Sequence, residues 1–148
     1  MKRIFTIFAF IFSILLLTGC GSTKKLECKK VYKEYNETDV YMLEYTKDGV
    51  LQSVTYRILL EDYIEGELTT SERAELNSEC DEIKDSGIKN LSCKVNIKGK
   101  DVEMIISATG IDKMSLEQIE EADLDDFTEY TYDELKAELI EDGYTCQG

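Results

Sequence analysis

The sequence contains no histidine, no proline and no tryptophan. Histidine is the commonest general base, so its absence excludes serine–histidine and cysteine–histidine nucleophile pairs and histidine-based zinc sites. Positive charge is also scarce, because 17 Lys and Arg stand against 31 Asp and Glu, for a net charge of -14. Such a chain is repelled by phosphate backbones, and we expect no nucleic-acid partner.

The first twenty residues have the pattern of an export signal. Lys2 and Arg3 precede an apolar run over residues 4–17, which ends in Leu17-Thr18-Gly19-Cys20. This pattern is typical of a secretory signal peptide, and the run is shorter than the ~20 residues of a membrane-spanning helix. The four terminal residues resemble the lipobox of bacterial lipoproteins, which implies cleavage after residue 19 and acylation, with palmitate-type chains, at Cys20. The alternatives are an ordinary signal peptide and an uncleaved anchor.

We therefore expect a signal peptide over residues 1–19, a lipidated tether over residues 20–26 and a single globular domain over residues 27–148. The lipid would hold the protein on the extracytoplasmic face of the cell membrane, because two or more acyl chains anchor a protein stably. Cleavage removes Lys2 and Arg3 and leaves a net charge of -16, with +4 over residues 24–33 and -20 over residues 34–148. The basic start is either attracted to an anionic membrane or simply solvated.

The other four cysteines, Cys28, Cys80, Cys93 and Cys146, form an even set in an exported chain, which predicts two disulfides. They include no Cys-x-x-Cys pair, so a zinc site is not expected. Four cysteines allow three connectivities. We favour Cys28–Cys146, which joins the first strand to the C-terminus, together with Cys80–Cys93, which closes a local loop between a helix and a strand.

Hydrophobic residues make up 43% of the chain, enough for a folded core. Apolar and β-branched patterns predict a three-stranded meander over residues 27–37, 39–46 and 50–62, and a hairpin over residues 91–98 and 101–110. Helix starts are predicted by three capping boxes, Thr69-x-x-Glu72, Ser115-x-x-Gln118 and Thr131-x-x-Glu134. The predicted fold is a two-layer α+β domain, with an antiparallel sheet of about five strands and two or three helices on one side.

The order of these features resembles a known group of proteins. A lipobox cysteine is followed by a Cys-x-x-x-Tyr strand, the hairpin Tyr45-Thr-Lys-Asp-Gly-Val50, an Asn-Leu-Ser-Cys-Lys-Val strand and a terminal helix ending in Asp142-Gly-Tyr-Thr-Cys146. This order is similar to that of the YehR-like small bacterial lipoproteins, whose function is unknown. The resemblance implies the Cys28–Cys146 pairing and supplies no catalytic residues.

Two groups of residues suggest binding. Residues 112–142 are strongly acidic, and Asp123, Asp125 and Asp126 are weak candidates for calcium binding, although a solvated acidic face is the preferred interpretation. Tyr41 and Tyr45 share one side of a strand with Leu43. They belong to the core, or they form an exposed face that stacks on a sugar or a peptide.

The sequence favours a non-enzymatic binding or envelope-interaction module without a cofactor. We expect a monomer that meets the membrane through its lipid and binds an unknown protein or glycan. The alternatives are a hydrolase that uses carboxylates alone, as glycosidases do, and a structural spacer at the membrane surface.

Overall fold

The computed structural model describes residues 23–148, which form one six-stranded antiparallel sheet and four α-helices. The strands are β1 (Lys24–Tyr32), β2 (Glu37–Tyr45), β3 (Leu51–Leu60), β4 (Leu91–Lys98), β5 (Asp101–Thr109) and β6 (Thr145–Gln147). The helices are α1 (Thr70–Asp85), α2 (Leu116–Glu121), α3 (Asp125–Glu129) and α4 (Tyr132–Glu141). The predicted α+β class is confirmed. The predicted signal peptide and the lipidation site Cys20 lie outside the described residues.

The sheet combines the two predicted antiparallel units. Its strand order is β4-β5-β3-β2-β1-β6, so the meander β1–β3 and the hairpin β4–β5 join where β5 pairs with β3. Gly49 and Gly99 have positive φ angles of 85° and 65° in the turns between β2 and β3 and between β4 and β5. A side chain is disfavoured in this backbone region, which explains glycine at both turns.

The edge of the sheet at β1 differs from the prediction in two ways. The sheet has six strands rather than about five, because Thr145–Gln147 pairs with Glu27–Lys29 of β1. Three residues are too few for an alternating pattern to be visible in the sequence. Strand β1 also begins at Lys24, inside the predicted tether. Its first residues pair with the end of β2, and Leu26 is only 1% exposed.

The helices begin where their capping residues indicate. Thr69, Ser115 and Thr131 each accept a hydrogen bond from the backbone of the third helical residue, and that residue's side chain accepts one in return. All three predicted capping boxes are therefore present. Helix α3 is additional to the two or three predicted helices, and its five residues have no side-chain cap.

One face of the sheet carries the core. Leu26 of β1, Leu43 of β2 and Val54 of β3 lie side by side in the strand register, and Ala108 of β5 continues the row. The residues that cover them come from the C-terminal helical region: Leu124, Leu135 and Leu139. On the other face, Lys25 pairs with Glu44 at 2.7 Å and Arg57 with Glu103 at 3.6 Å.

Two disulfides are confirmed, with the favoured connectivity. Cys28 of β1 is bonded to its register partner Cys146 of β6 across 118 residues of sequence. Cys80 of α1 is bonded to Cys93 of β4 across 13 residues. The first bond holds the C-terminal strand on the sheet, and the second holds α1 against the opposite edge.

The two disulfides should contribute unequally to stability. By chain entropy, a loop of 118 residues gives about 5 kcal/mol and one of 13 residues about 3 kcal/mol. We expect Cys28→Ala/Cys146→Ala to lose more free energy of unfolding than Cys80→Ala/Cys93→Ala, measured by urea denaturation. An equal loss, or the reverse order, would contradict this account.

Candidate functional site

A cleft of about 920 Å³ opens between α1 and the sheet. The sheet contributes Ile58 and Leu60 from β3 and Val102 and Met104 from β5, and the segment between β3 and α1 also lines the cleft. We call this feature the glutamate cleft, because its lining includes Glu37, Glu65, Glu67, Glu72, Glu75 and Glu79. Its size falls within the range of small-molecule pockets.

The floor of the glutamate cleft is apolar. Ile58 is the register partner of Met104, and Leu60 is the partner of Val102, so the four side chains form a compact patch. These residues face the same side of the sheet as the core. Val102 is buried, whereas Ile58, Leu60 and Met104 are partly exposed. The C-terminal helices cover the other half of this face, which leaves the patch accessible.

The walls carry a single sign of charge. Glu72, Glu75 and Glu79 are spaced three and four positions apart along α1, which places them on one side of a helix. Glu65 and Glu67 lie in the preceding segment, and Glu37 stands on the sheet side. Within residues 23–148, no Lys or Arg lines this cleft. The cleft is therefore a site of negative potential above an apolar surface.

Local interactions hold the α1 wall in place. Thr69 caps the helix, and the Glu72 carboxylate accepts hydrogen bonds from the Thr69 amide and hydroxyl, each at 2.7 Å. These bonds lower the pKa of the Glu72 carboxyl. Cys80, the one buried residue of α1, carries the disulfide to β4. The wall is thus fixed at its start and at its middle.

A second carboxylate lies behind Glu37. Asp39 is two residues further along β2, on the same face, and only 4% exposed. Its Oδ2 accepts a hydrogen bond from the Tyr56 hydroxyl at 3.0 Å, whereas Oδ1 has no partner among the described residues. Burial, and then the charge of Asp39, raise the pKa of the Glu37 carboxyl above its ordinary value of 4.5.

An aromatic cluster separates this carboxylate pair from the C-terminal helices. Tyr41 stacks on Tyr56 with ring centroids 4.5 Å apart, and it contacts Tyr144 at 5.5 Å and Phe127 at 5.7 Å. Tyr41, Tyr56 and Phe127 also line a smaller cavity of about 310 Å³, which has Glu121 and Asp123 among its lining residues. The two cavities are neighbours on the same face of the sheet, because Ile58 and Met104 lie next to Tyr56 and Ile106.

The predicted tyrosine pair lies in the interior. Tyr45 is 0% exposed and contacts Tyr132 at 5.4 Å between ring centroids, and Tyr41 is half-buried in the aromatic cluster. Burial raises the pKa of the Tyr45 hydroxyl to about 12. Tyr45 is therefore a core residue, and Tyr41 is packed against the core at the wall of the smaller cavity.

The predicted calcium residues lie on the exposed acidic side of the C-terminal region. Asp123 precedes α3 with a φ of 50°, and Asp125 and Asp126 occupy its first turn. All three are exposed. In the part of the chain that the structure describes, no three acidic or cysteine side chains are grouped closely enough to hold a metal ion.

Glu37, Asp39 and the α1 glutamates are not among the site residues predicted from the sequence. One signal was available for the first two. Glu37 and Asp39 have the same strand parity as Tyr41, Leu43 and Tyr45, so two acids occupy positions that the pattern assigns to the covered face. No local pattern could connect them to α1.

Comparisons with protein families, with curated proteins and with solved structures each find no match for this chain. The resemblance to the YehR-like lipoproteins stays a prediction.

The raised pKa of Glu37 predicts a pH dependence of stability. The folded chain holds this proton more tightly than the unfolded chain, so stability falls as the pH rises from the ordinary value of 4.5 through the raised pKa of the folded state. We expect Glu37→Gln and the native chain to have the same free energy of unfolding at pH 4. At pH 7 the variant should have the higher free energy of unfolding, measured by urea denaturation. An NMR titration of the Glu37 carboxyl should have its midpoint above pH 4.5, and this midpoint should be lower in Asp39→Asn. A midpoint at or below pH 4.5 in the native chain would contradict the prediction.

The Tyr45 hydroxyl is buried without a hydrogen-bond partner among the described residues. Removal of this hydroxyl removes the cost of burying an unpaired polar group. Tyr45→Phe should therefore leave the free energy of unfolding unchanged or raise it by about 1 kcal/mol. Tyr45→Ala empties a core position and should cost about 3–5 kcal/mol. The same two changes at Tyr35, which is 70% exposed, serve as controls. A large loss of unfolding free energy in Tyr45→Phe would show that the Tyr45 hydroxyl has a hydrogen-bond partner, and would contradict this prediction.

Proposed function

We propose that this chain is a lipid-anchored lipoprotein of the bacterial envelope, akin to the YehR-like group, and that its domain is a non-enzymatic binding module. The observation that carries the proposal is the glutamate cleft, an accessible apolar patch between walls of one charge. Apolar surface of this kind in a pocket is where proteins bind ligands, and the charged rim selects among them. The cleft therefore binds a positively charged ligand.

The position of the cleft supports this function for an anchored protein. Lys24, Tyr45 and Leu51 are partners at one end of the sheet, and Glu37, Leu60 and Val102 are partners at the other. The nine residues of β1 separate these ends by about 27 Å. A lipid at Cys20 holds the first end close to the membrane, so the cleft opens at the far end and meets molecules in the envelope.

The anchor itself is argued from the sequence. The segment Leu17-Thr18-Gly19-Cys20 follows a short apolar run, which is the arrangement of a lipoprotein signal. Within residues 23–148, no helix has the length and apolar content needed to cross a membrane. Disulfides also fit a protein that folds outside the cytoplasm, where thiols are oxidised.

A second candidate function is a hydrolase that uses two carboxylates. Glu37 and Asp39 favour it, because a carboxyl with a raised pKa beside a second carboxylate is the arrangement of a general acid with its partner. Glu37 lines the cleft, but Asp39 is buried behind it and hydrogen-bonded to Tyr56. A buried carboxylate is not able to reach a substrate or a water in the cleft, so the binding module is the better-supported function.

Photo-crosslinking in living cells tests the binding module. A photoreactive phenylalanine analogue at Leu76, which lines the cleft, should give covalent adducts in the full-length lipoprotein upon irradiation. The same photoreactive analogue in place of Leu116 should give few adducts or none. Leu116 is 79% exposed on α2 and far from the cleft in sequence. Adducts at Leu76 should disappear in Glu75→Lys/Glu79→Lys, since the ligand is positively charged.

Equal numbers of adducts at positions 76 and 116, or no adducts at position 76, would contradict the binding function. Either result would favour a structural spacer. The hydrolase has a separate readout. Glu37→Gln should keep the adducts, because it removes one charge of six in the lining, whereas it would abolish turnover of any substrate that needs Glu37 as an acid.

A further inference from the structure

We propose that the ligand of the glutamate cleft is a short basic amphipathic peptide segment, in which Lys or Arg alternates with apolar residues. This inference rests on the proposed binding function and specifies the chemistry of the ligand. It draws on the spacing of the glutamates, on the apolar floor and on the buried Asp39.

The spacing of the acids excludes a single small cation as the best ligand. Residues 72, 75 and 79 are spread along about 10 Å of the α1 axis, at 1.5 Å per residue. Their carboxylates do not converge, and in the described chain no group of three acids is close enough for a metal ion. A row of separated negative charges matches a ligand with several separated positive charges.

An extended peptide has the required spacing. Its alternate side chains repeat about every 6.6–6.8 Å, so two or three Lys or Arg residues span the glutamates of α1. Glu65 and Glu67 extend the negative wall beyond the start of the helix, and Glu37 faces it from the sheet. Long basic side chains reach such walls while their stems stay on apolar surface.

The floor requires apolar groups between these charges. Ile58, Leu60 and Met104 are partly exposed, and Leu76 of α1 adds a fourth partly exposed apolar side chain. Each apolar group placed on this patch leaves water, which favours binding. A polyamine covers the charges but not the patch, so a peptide with apolar residues is the better match.

Asp39 strengthens the attraction for cations at one end of the cleft. It lies directly across from Ile58 of the floor, and its Oδ1 is buried without a partner in the described chain. Water screens the charge of a buried carboxylate less than it screens the charge of a surface acid, so the field of Asp39 reaches further. The cleft thus combines exposed acids that a ligand contacts with a buried one that it does not contact.

The probes are three synthetic hexapeptides with blocked ends: Lys-Leu-Lys-Leu-Lys-Leu, Lys-Ser-Lys-Ser-Lys-Ser and Glu-Leu-Glu-Leu-Glu-Leu. Binding to the disulfide-bonded domain is measured by calorimetry at low and at physiological salt. We expect the Lys-Leu peptide to bind at least tenfold more tightly than the Lys-Ser peptide and the Glu-Leu peptide not to bind. Salt should weaken the Lys-Leu affinity, because the glutamates of the walls are exposed to solvent.

Two matched variants assign the site. Glu75→Gln/Glu79→Gln should weaken Lys-Leu binding about three- to tenfold, as expected for two exposed charge pairs. Glu138→Gln/Glu141→Gln removes two charges from α4 outside the cleft and should leave the affinity within twofold. Circular dichroism confirms that each variant is folded.

The outcomes separate the ligand from the function. Equal affinity for the Lys-Ser peptide, or competition by spermidine at the same concentration as the Lys-Leu peptide, would overturn the amphipathic ligand and leave the cationic cleft in place. No peptide binding with adducts at Leu76 in cells would overturn the ligand class alone. No peptide binding and no adducts would overturn both proposals.

Discussion

The whole domain depends on how one apolar face of a six-stranded sheet is kept from water. Leu135 and Leu139 of α4, with Leu124, cover the row formed by Leu26, Leu43, Val54 and Ala108. Helix α1 has a single buried residue, Cys80, and is held over β4 by a covalent bond. The helices therefore carry too few apolar side chains to cover the entire face, and the uncovered part becomes the floor of the glutamate cleft.

Much of the fold could be predicted because its signals are local. Strand alternation, the turn glycines Gly49 and Gly99, and the three capping boxes each act within a few residues. The features that sequence reasoning missed lack such signals: β6 has three residues, and α3 starts after Leu124 without a side-chain cap. The start of β1 is set by pairing with β2, which no local pattern reveals.

The candidate site was less predictable than the fold because distant segments build it. Glu37, Leu60, Glu75 and Val102 come together only through the strand register and the placement of α1. The sequence pattern suggested Tyr45 as a binding residue instead. Tyr45 lies on the same side of β2 as Leu43, and both side chains are in the core. Acids at inward strand positions, such as Asp39, were the informative exception, because burial of a carboxylate is costly and requires a reason.

The bond between Cys28 and Cys146 also determines how the domain responds to mechanical load. A pull on the chain at Lys24 acts along β1, parallel to its nine-residue pairing with β2, so the interstrand hydrogen bonds resist together in shear. At most the first four residues of β1 can detach before the force reaches Cys28. From there the covalent bond transfers the tension to β6 and to α4 behind it, so a force applied at Lys24 is carried by both ends of the described chain before the sheet comes apart.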